Sequence, residues 1–186
     1  ELKTHLQRIE EAKKRDHRKL GRELGLFWFH PWAPGEPFWL PKGTTLVHLL
    51  ANYMRSILFP AGYVEVRAPL VFNKALWETS GHWQHYRENM FLIESAGEEE
   101  KSGLKPMNCP GHMLLFGSGL RSYRELPLRY AEASALHRNE RAGTLHGLLR
   151  VRHFVQDDGH IYCTLDQVPL EIRAILGLVH EAYGEL

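Results

Sequence analysis

The sequence predicts an α+β fold, an antiparallel β-sheet flanked by helices, and three observations carry that expectation. Leu46, Leu49, Leu50, Tyr53, Met54 and Ile57 recur at the spacing of one helix face. Residues 63–67, about 128–136 and about 149–156 read as strands, the last two close enough to pair as a hairpin. The strand–helix–strand repetition of a doubly wound parallel sheet is missing. At 186 residues with 44% apolar content, the chain is long enough for one domain with a core of its own.

In chain order, residues 2–24 are rich in Leu, Glu, Lys and Arg, lack proline and read as one helix. Lys13, Lys14, Arg15, Arg18, Lys19 and Arg22 form a basic cluster on it, either a solvated face or a surface for phosphates. Residues 27–43 alternate aromatic rings with Pro31, Pro34, Pro37 and Pro41, the pattern of irregular loop and short strand packed by its rings. Thr44 or Thr45 is expected to cap a helix running to about Leu58, which Pro60 and Gly62 end. Tyr63-Val64-Glu65-Val66-Arg67 alternates as a strand until Pro69. Residues 77–90 read as helix and loop, 94–105 as an acidic hairpin or exposed loop, and 111–120 as helix. Between the two final strands lies a loop over 138–148, and a last helix starts at Asp166 and runs to about Tyr183.

Composition excludes several classes. Lys and Arg number 23 against 22 Asp and Glu, so the chain has no global nucleic-acid signature. No apolar run approaches the ~18 residues of a membrane span. The N-terminus is charged, unlike a signal peptide, and begins at Glu1 rather than Met, which suggests a piece of a longer chain. Cys109 and Cys163 make no disulfide framework, and reduced thiols in a cytoplasmic protein are expected.

Chemistry concentrates in two rigid runs. In Lys105-Pro106-Met107-Asn108-Cys109-Pro110-Gly111-His112, two prolines and a glycine fix the backbone around one thiol. In Phe154-Val155-Gln156-Asp157-Asp158-Gly159-His160, Gln156, Asp158 and His160 alternate, so a strand projects amide, carboxylate and imidazole from one face. Such a row suits a polar pocket; a solvent-facing edge strand is the plainer alternative. Cys109 and His160 are donors of the type zinc prefers, with His112 another candidate partner and a buried thiol beside a turn the competing account. Arg138-Asn139-Glu140 and Arg150-Val151-Arg152 stand at the two ends of the hairpin loop. Arginine's planar fork suits phosphate, a glutamate accepts from an amino group, and Phe154 offers a stacking face. A cross-strand salt bridge is the ordinary alternative, worth under about 1 kcal/mol. His82, in Thr79-Ser80-Gly81-His82-Trp83, sits on a tight turn that could expose its imidazole for proton transfer.

Together these segments resemble the threonyl-tRNA synthetases, a family of class II aminoacyl-tRNA synthetases, over nearly the whole chain. Arg15-Asp16-His17-Arg18-Lys19-Leu20-Gly21 is similar to the family's approach to its catalytic domain, residues 46–69 to class II motif 1, and residues 128–154, with His137-Arg138-Asn139-Glu140, to motif 2. Trp77-Glu78-Thr79-Ser80-Gly81-His82-Trp83 resembles a further family segment, and residues 105–112 are the most specific match.

The resemblance implies a linker helix over 1–24 and a partial class II catalytic domain over 25–186, with motif 3 absent and the fold therefore truncated. It implies ATP-dependent activation of threonine and transfer to tRNA(Thr). Cys109 and His160 would be two of three zinc ligands, the third a histidine beyond Leu186. Zinc would take the amino group and hydroxyl of threonine and so reject valine, which shape alone does only about 10–200-fold per methylene; serine, which keeps the hydroxyl, would be rejected less well. Asp158 would accept the threonine hydroxyl proton, with Gln156 beside it. Arg138 would hold the ATP α-phosphate, Glu140 the adenine amino group, Phe154 the adenine ring and Arg150 the triphosphate tail, with magnesium bridging the phosphates. His82 would act in proton transfer at the tRNA step. Motif 1 would make a homodimer. The alternative is a synthetase-derived binding or regulatory module without catalysis, for which the missing motif 3 speaks and against which the intact Arg/Glu pair and polar row speak.

Overall fold

The computed structural model describes residues 2–94 and 101–186. Its first helical stretch is two helices rather than one, α1 (Leu2–Lys14) and α2 (His17–Glu23). Asp16 makes the break: its carboxylate accepts from the Arg18 backbone N–H at 2.8 Å and caps α2. A capping residue leaves helical geometry, so the preceding helix stops there. His17 then accepts a hydrogen bond from the Leu148 N–H at Nε2 (2.9 Å), tying α2 to the loop between the two long strands.

β1 (Phe27–Trp28) and β2 (Phe38–Trp39) form a small antiparallel pair. The Phe27 ring packs against Phe29 and Trp39 at centroid distances of 5.9 and 5.6 Å. α3 (Pro41–Leu58) begins ahead of the expected threonine cap. Pro41 occupies the first helical turn, where its missing N–H costs nothing and its fixed φ suits the helix. Thr45 is inside the helix, donating its hydroxyl to the Pro41 carbonyl at 3.0 Å.

The central sheet has the order β3 (Tyr63–Glu65), β7 (Leu128–His137), β8 (His153–Tyr162). β7 and β8 are antiparallel from Leu128↔Tyr162 to His137↔His153. β3 runs parallel to β7, so the sheet is mixed, and the intervening segment supplies the crossover that parallel neighbours need. β8 starts later than the expected strand at 149. Residues just before it are committed elsewhere: Arg150 bridges His146, the Arg152 N–H reaches the Gly35 carbonyl at 2.7 Å, and Arg152 Nε reaches the Glu140 carbonyl at 2.9 Å.

A second, antiparallel sheet has the order β4 (Val71–Asn73), β6 (Ser102–Leu104), β5 (Leu92–Ile93). β5 and β6 pair antiparallel around the segment expected as a hairpin or exposed loop over 94–105, of which residues 95–100 lie outside the described residues. α4 (Lys74–Thr79), α5 (His82–His85) and a 3-10 turn at Arg87–Asn89 resolve the expected helix-and-loop region. α6 (Cys109–Phe116) starts earlier and ends sooner than the 111–120 expectation, and α7 (Val168–Glu185) closes the described chain.

Trp77, Met90, Tyr130 and Leu136 are among the buried apolar side chains. α6 meets one face of β7 and β8. On the other face, a cavity of about 830 Å³ is lined by Met54, Leu58, Asp157, Ile161, Ile175 and Val179, between the sheet and helices α3 and α7. Among the described residues no helix is long and apolar enough to cross a membrane.

Candidate active site

The β7–β8 register places Phe154, Gln156, Asp158 and His160 opposite Leu136, Ser134, Glu132 and Tyr130. Side chains directly opposite in an antiparallel pair share a face, so the expected alternation holds and all eight stand on one side of the sheet. Gln156 is exposed there, while Phe154, Asp158 and His160 are half-buried.

Arg138 follows directly on β7, its backbone N–H bonded to the Arg152 carbonyl at 2.9 Å. Its guanidinium lies over the Phe154 ring, 4.9 Å from the centroid, and Nε donates to the Pro106 carbonyl at 3.1 Å. The structure thus joins motif-2-like, β8 and 105–112 residues at one guanidinium. Glu140 and Arg150 also meet, but as an ion pair: Arg150 Nε donates to Glu140 Oε2 at 3.0 Å. The glutamate side chain is 15% exposed and the arginine 56%, so this is the salt bridge weighed from the sequence, with its cation at the surface.

Cys109 is the first residue of α6 rather than part of a free turn. Gly111 lets α6 lie close: a Cβ there would stand 2.9 Å from that of Ala68. Burial pushes the Cys109 thiol pKa up, and the neighbouring Asp158 carboxylate adds to it. Asn108, fully buried, donates from Nδ2 to Asp158 Oδ2 at 3.1 Å.

Beneath this row runs a polar chain that sequence reasoning missed. Lys105 and Glu132, each about 1% exposed, form an ion pair at 2.8 Å. Lys105 Nζ also donates to Ser134 Oγ at 2.7 Å, and the Ala68 N–H donates to Glu132 Oε1 at 3.1 Å. The other carboxylate oxygen meets His112 Nε2 at 2.8 Å, and His112 Nδ1 meets His160 Nδ1 at 2.8 Å. Burial pushes the Glu132 carboxyl up, but the hydrogen bonds from Lys105, Ser134, His112 and Ala68 outweigh it and hold the group below its ordinary range. Burial lowers the His160 pKa; Asp158 opposes this and His112 reinforces it. The available signal was Glu132 at an even position on β7, a carboxylate between Tyr130 and Ser134, in register with Asp158.

His82 reaches the site from the side. Gly81, at φ +79°, makes a left-handed turn that a side chain would strain and starts α5 at His82. The imidazole is pinned between Ser80 Oγ and Met107 Sδ, each 2.8 Å away, and burial lowers its pKa. It therefore touches the 105–112 run.

Among the described residues no three His, Cys, Asp or Glu side chains converge as a metal-binding group. His160 meets His112, which is three residues along α6 from Cys109 and on the same helix face. Thiol and imidazole donors suit zinc, and two of them leave the set needing a further ligand. Chemically, the face offers a stacked guanidinium for an anion, a ring for a flat base, and carboxylate, imidazole and thiol for a small polar molecule.

The model for the tRNA synthetase class II core domain (G, H, P, S and T) matches residues 91–186. The chain is 58% identical over 184 residues to the threonine–tRNA ligase of Myxococcus xanthus, covering 98% of this chain and 29% of that protein. With the threonine–tRNA ligase of Dechloromonas aromatica it is 53% identical over 185 residues, covering 100% of this chain and 29% of the relative. The chain thus spans less than a third of the length of these relatives. Among solved structures, it is similar to the RNA binding domain of the threonyl-tRNA synthetase of Cryptosporidium parvum, with TM-score 0.89 and 46% identity over 92% of this chain and 42% of the other. The prolyl-tRNA synthetase of Giardia lamblia, solved with prolyl-adenylate, shares the fold at TM-score 0.83 with 17% identity, covering 94% of this chain and 36% of that one.

Proposed function

From the chain's membership of the class II tRNA synthetase core-domain family, in its threonine–tRNA ligase branch, we propose that it supplies part of a site that activates threonine with ATP and passes the threonyl group to tRNA(Thr). One observation carries this reading: Arg138 packs over Phe154 at the head of a strand face that continues through Gln156, Asp158 and His160.

In this reading Phe154 stacks on adenine and Arg138 binds the α-phosphate, where charge develops as the adenylate forms. Glu140 accepts from the adenine amino group and Arg150 reaches the triphosphate tail, whose charge magnesium would help offset. The ion pair engages only Oε2 of Glu140, which leaves Oε1 for the amino group. Asp158, oriented by Asn108, accepts the threonine hydroxyl proton, and Gln156 helps hold the substrate. Cys109 and His160 would hold zinc together with a ligand from outside this chain. Bound zinc supplies a Lewis-acid position that a hydroxyl-bearing amino acid can fill and valine cannot. His82, held by Ser80 and Met107, moves a proton during transfer to tRNA. Motif-1-like α3 and β3 would form a homodimer interface, and the protein would be cytoplasmic.

The test is ATP–pyrophosphate exchange by the full-length protein with threonine, serine and valine. The expected result is exchange that depends on threonine, with serine weaker and valine negligible. Exchange driven by an unrelated amino acid would overturn the assignment.

A further inference from the structure

We propose that Glu132 and His112 are positioning residues that set the tautomer of His160, keeping its proton on Nδ1 and its Nε2 lone pair open to a ligand. The inference rests on the reading of Cys109 and His160 as zinc donors and adds to it how this chain prepares one of them.

The geometry is a relay from a buried carboxylate to the edge of the site. Glu132 is about 1% exposed and His112 is fully buried, so neither exchanges partners with water. An ionised carboxylate only accepts, so the His112 nitrogen 2.8 Å from Glu132 Oε2, Nε2, carries the hydrogen. Lys105 pairs with the same carboxylate at 2.8 Å. Glu132 thus fixes the hydrogen of a singly protonated His112 on Nε2 and leaves its Nδ1 as an acceptor. The atom 2.8 Å away is His160 Nδ1, which must donate. His160 is left with a bare Nε2, the state in which an imidazole binds a metal. The rings meet edge to face, 4.6 Å between centroids at 81°, so the contact also fixes the plane of His160. A ligating histidine held through its other nitrogen gains basicity and orientation, and losing such a partner costs 10–100-fold in metal affinity.

The groups facing His112 are few. Glu132 and Tyr130 face it from β7 and His160 from β8, and Lys105 reaches it only through Glu132. None offers His112 Nδ1 a competing hydrogen. Glu132 is thus the origin of the relay's direction.

The experiment uses the full-length protein and zinc itself, measuring its dissociation constant against a competing chelator. His112→Phe keeps a ring but offers no acceptor and should weaken zinc about 10–100-fold. His112→Asn places an amide oxygen near the lost Nδ1 and should recover most of the affinity, with similar thermal midpoints for both variants. Zinc bound as tightly by His112→Phe as by the unmutated protein would overturn the relay. If the unmutated protein binds no zinc, or His112→Phe fails to fold, neutron diffraction from unmutated crystals decides: deuterium on His160 Nδ1 with Nε2 bare supports the relay, and deuterium on Nε2 overturns it. Absence of zinc would end the metal-site reading alone, so the two failures are distinguishable.

Discussion

Arg138 holds its guanidinium over the Phe154 ring, 4.9 Å from its centre, while its Nε is anchored on the Pro106 carbonyl at 3.1 Å. A cation fixed on two sides is preorganised for an anion whose charge grows in the transition state. Arg138→Ala should lower kcat for threonine-dependent pyrophosphate exchange by about 10²–10³, or ~2.7–4 kcal/mol, with little change in thermal midpoint. Arg138→Lys should rescue only partly, because an ammonium lacks the planar fork that lies on a ring. Exchange at the unmutated rate in the alanine variant would remove Arg138 from the phosphate site.

The Glu140–Arg150 pair makes an opposite forecast. Its arginine side chain is 56% exposed, so solvent screens the pair, and the Arg150→Ala substitution should change unfolding free energy by under about 1 kcal/mol. In the proposed reading Arg150→Ala leaves Glu140 available to adenine, whereas Glu140→Ala removes the acceptor. The expected pattern is a raised ATP KM in Glu140→Ala at near-normal stability; an unchanged KM would leave the pair as surface structure only.

What the sequence reveals and hides here follows from how each residue is used. The alternation of Gln156, Asp158 and His160 was legible because a strand's two-residue period is written directly in side-chain type. The start of that strand was not, because Val151 continues the apolar pattern while Arg150 and Arg152 bond to loop partners outside the ladder. Asp16 splits the N-terminal helix by a cap that composition averages away. The parallel pairing of β3 with β7 joins strands far apart in sequence, which no local pattern encodes. Lys105 and Glu132 were invisible as a site because each alone reads as a surface charge, and only the fold shows that they bury each other.

Among the groups that give the stability of this domain an acid dependence, His137 and Glu132 act in separate pH ranges. Burial holds the His137 pKa below its ordinary 6.5, with His153 adding to the effect and Glu36 opposing it. Its unfolded form takes up a proton first, so stability should fall as pH drops below 6.5. Glu132 is also depressed, from an ordinary 4.5; its contribution is complete above that pH and is lost as pH falls through the folded value. Thermal midpoints across this range should show both declines, with His137→Phe reducing the upper one, to which His82 and His160 also contribute, and Glu132→Gln reducing the lower. A midpoint that rose on acidification would contradict both assignments.

Lys105 offers the sharpest test of the buried network, because its ammonium is matched only inside the protein. Glu132 and Lys105 are each about 1% exposed, so Lys105→Met leaves a carboxylate that water does not reach. Breaking one side of a buried pair typically costs about 3–5 kcal/mol, mostly the penalty of the abandoned charge. The double change Lys105→Met with Glu132→Gln removes that charge and should recover much of the loss, although the His112 and Ala68 donors then meet a neutral amide. Urea unfolding of the four proteins in the cycle gives the coupling directly. A double variant as unstable as Lys105→Met alone would mean that packing around the lysine stem, and not its charge, holds this part of the sheet against α6.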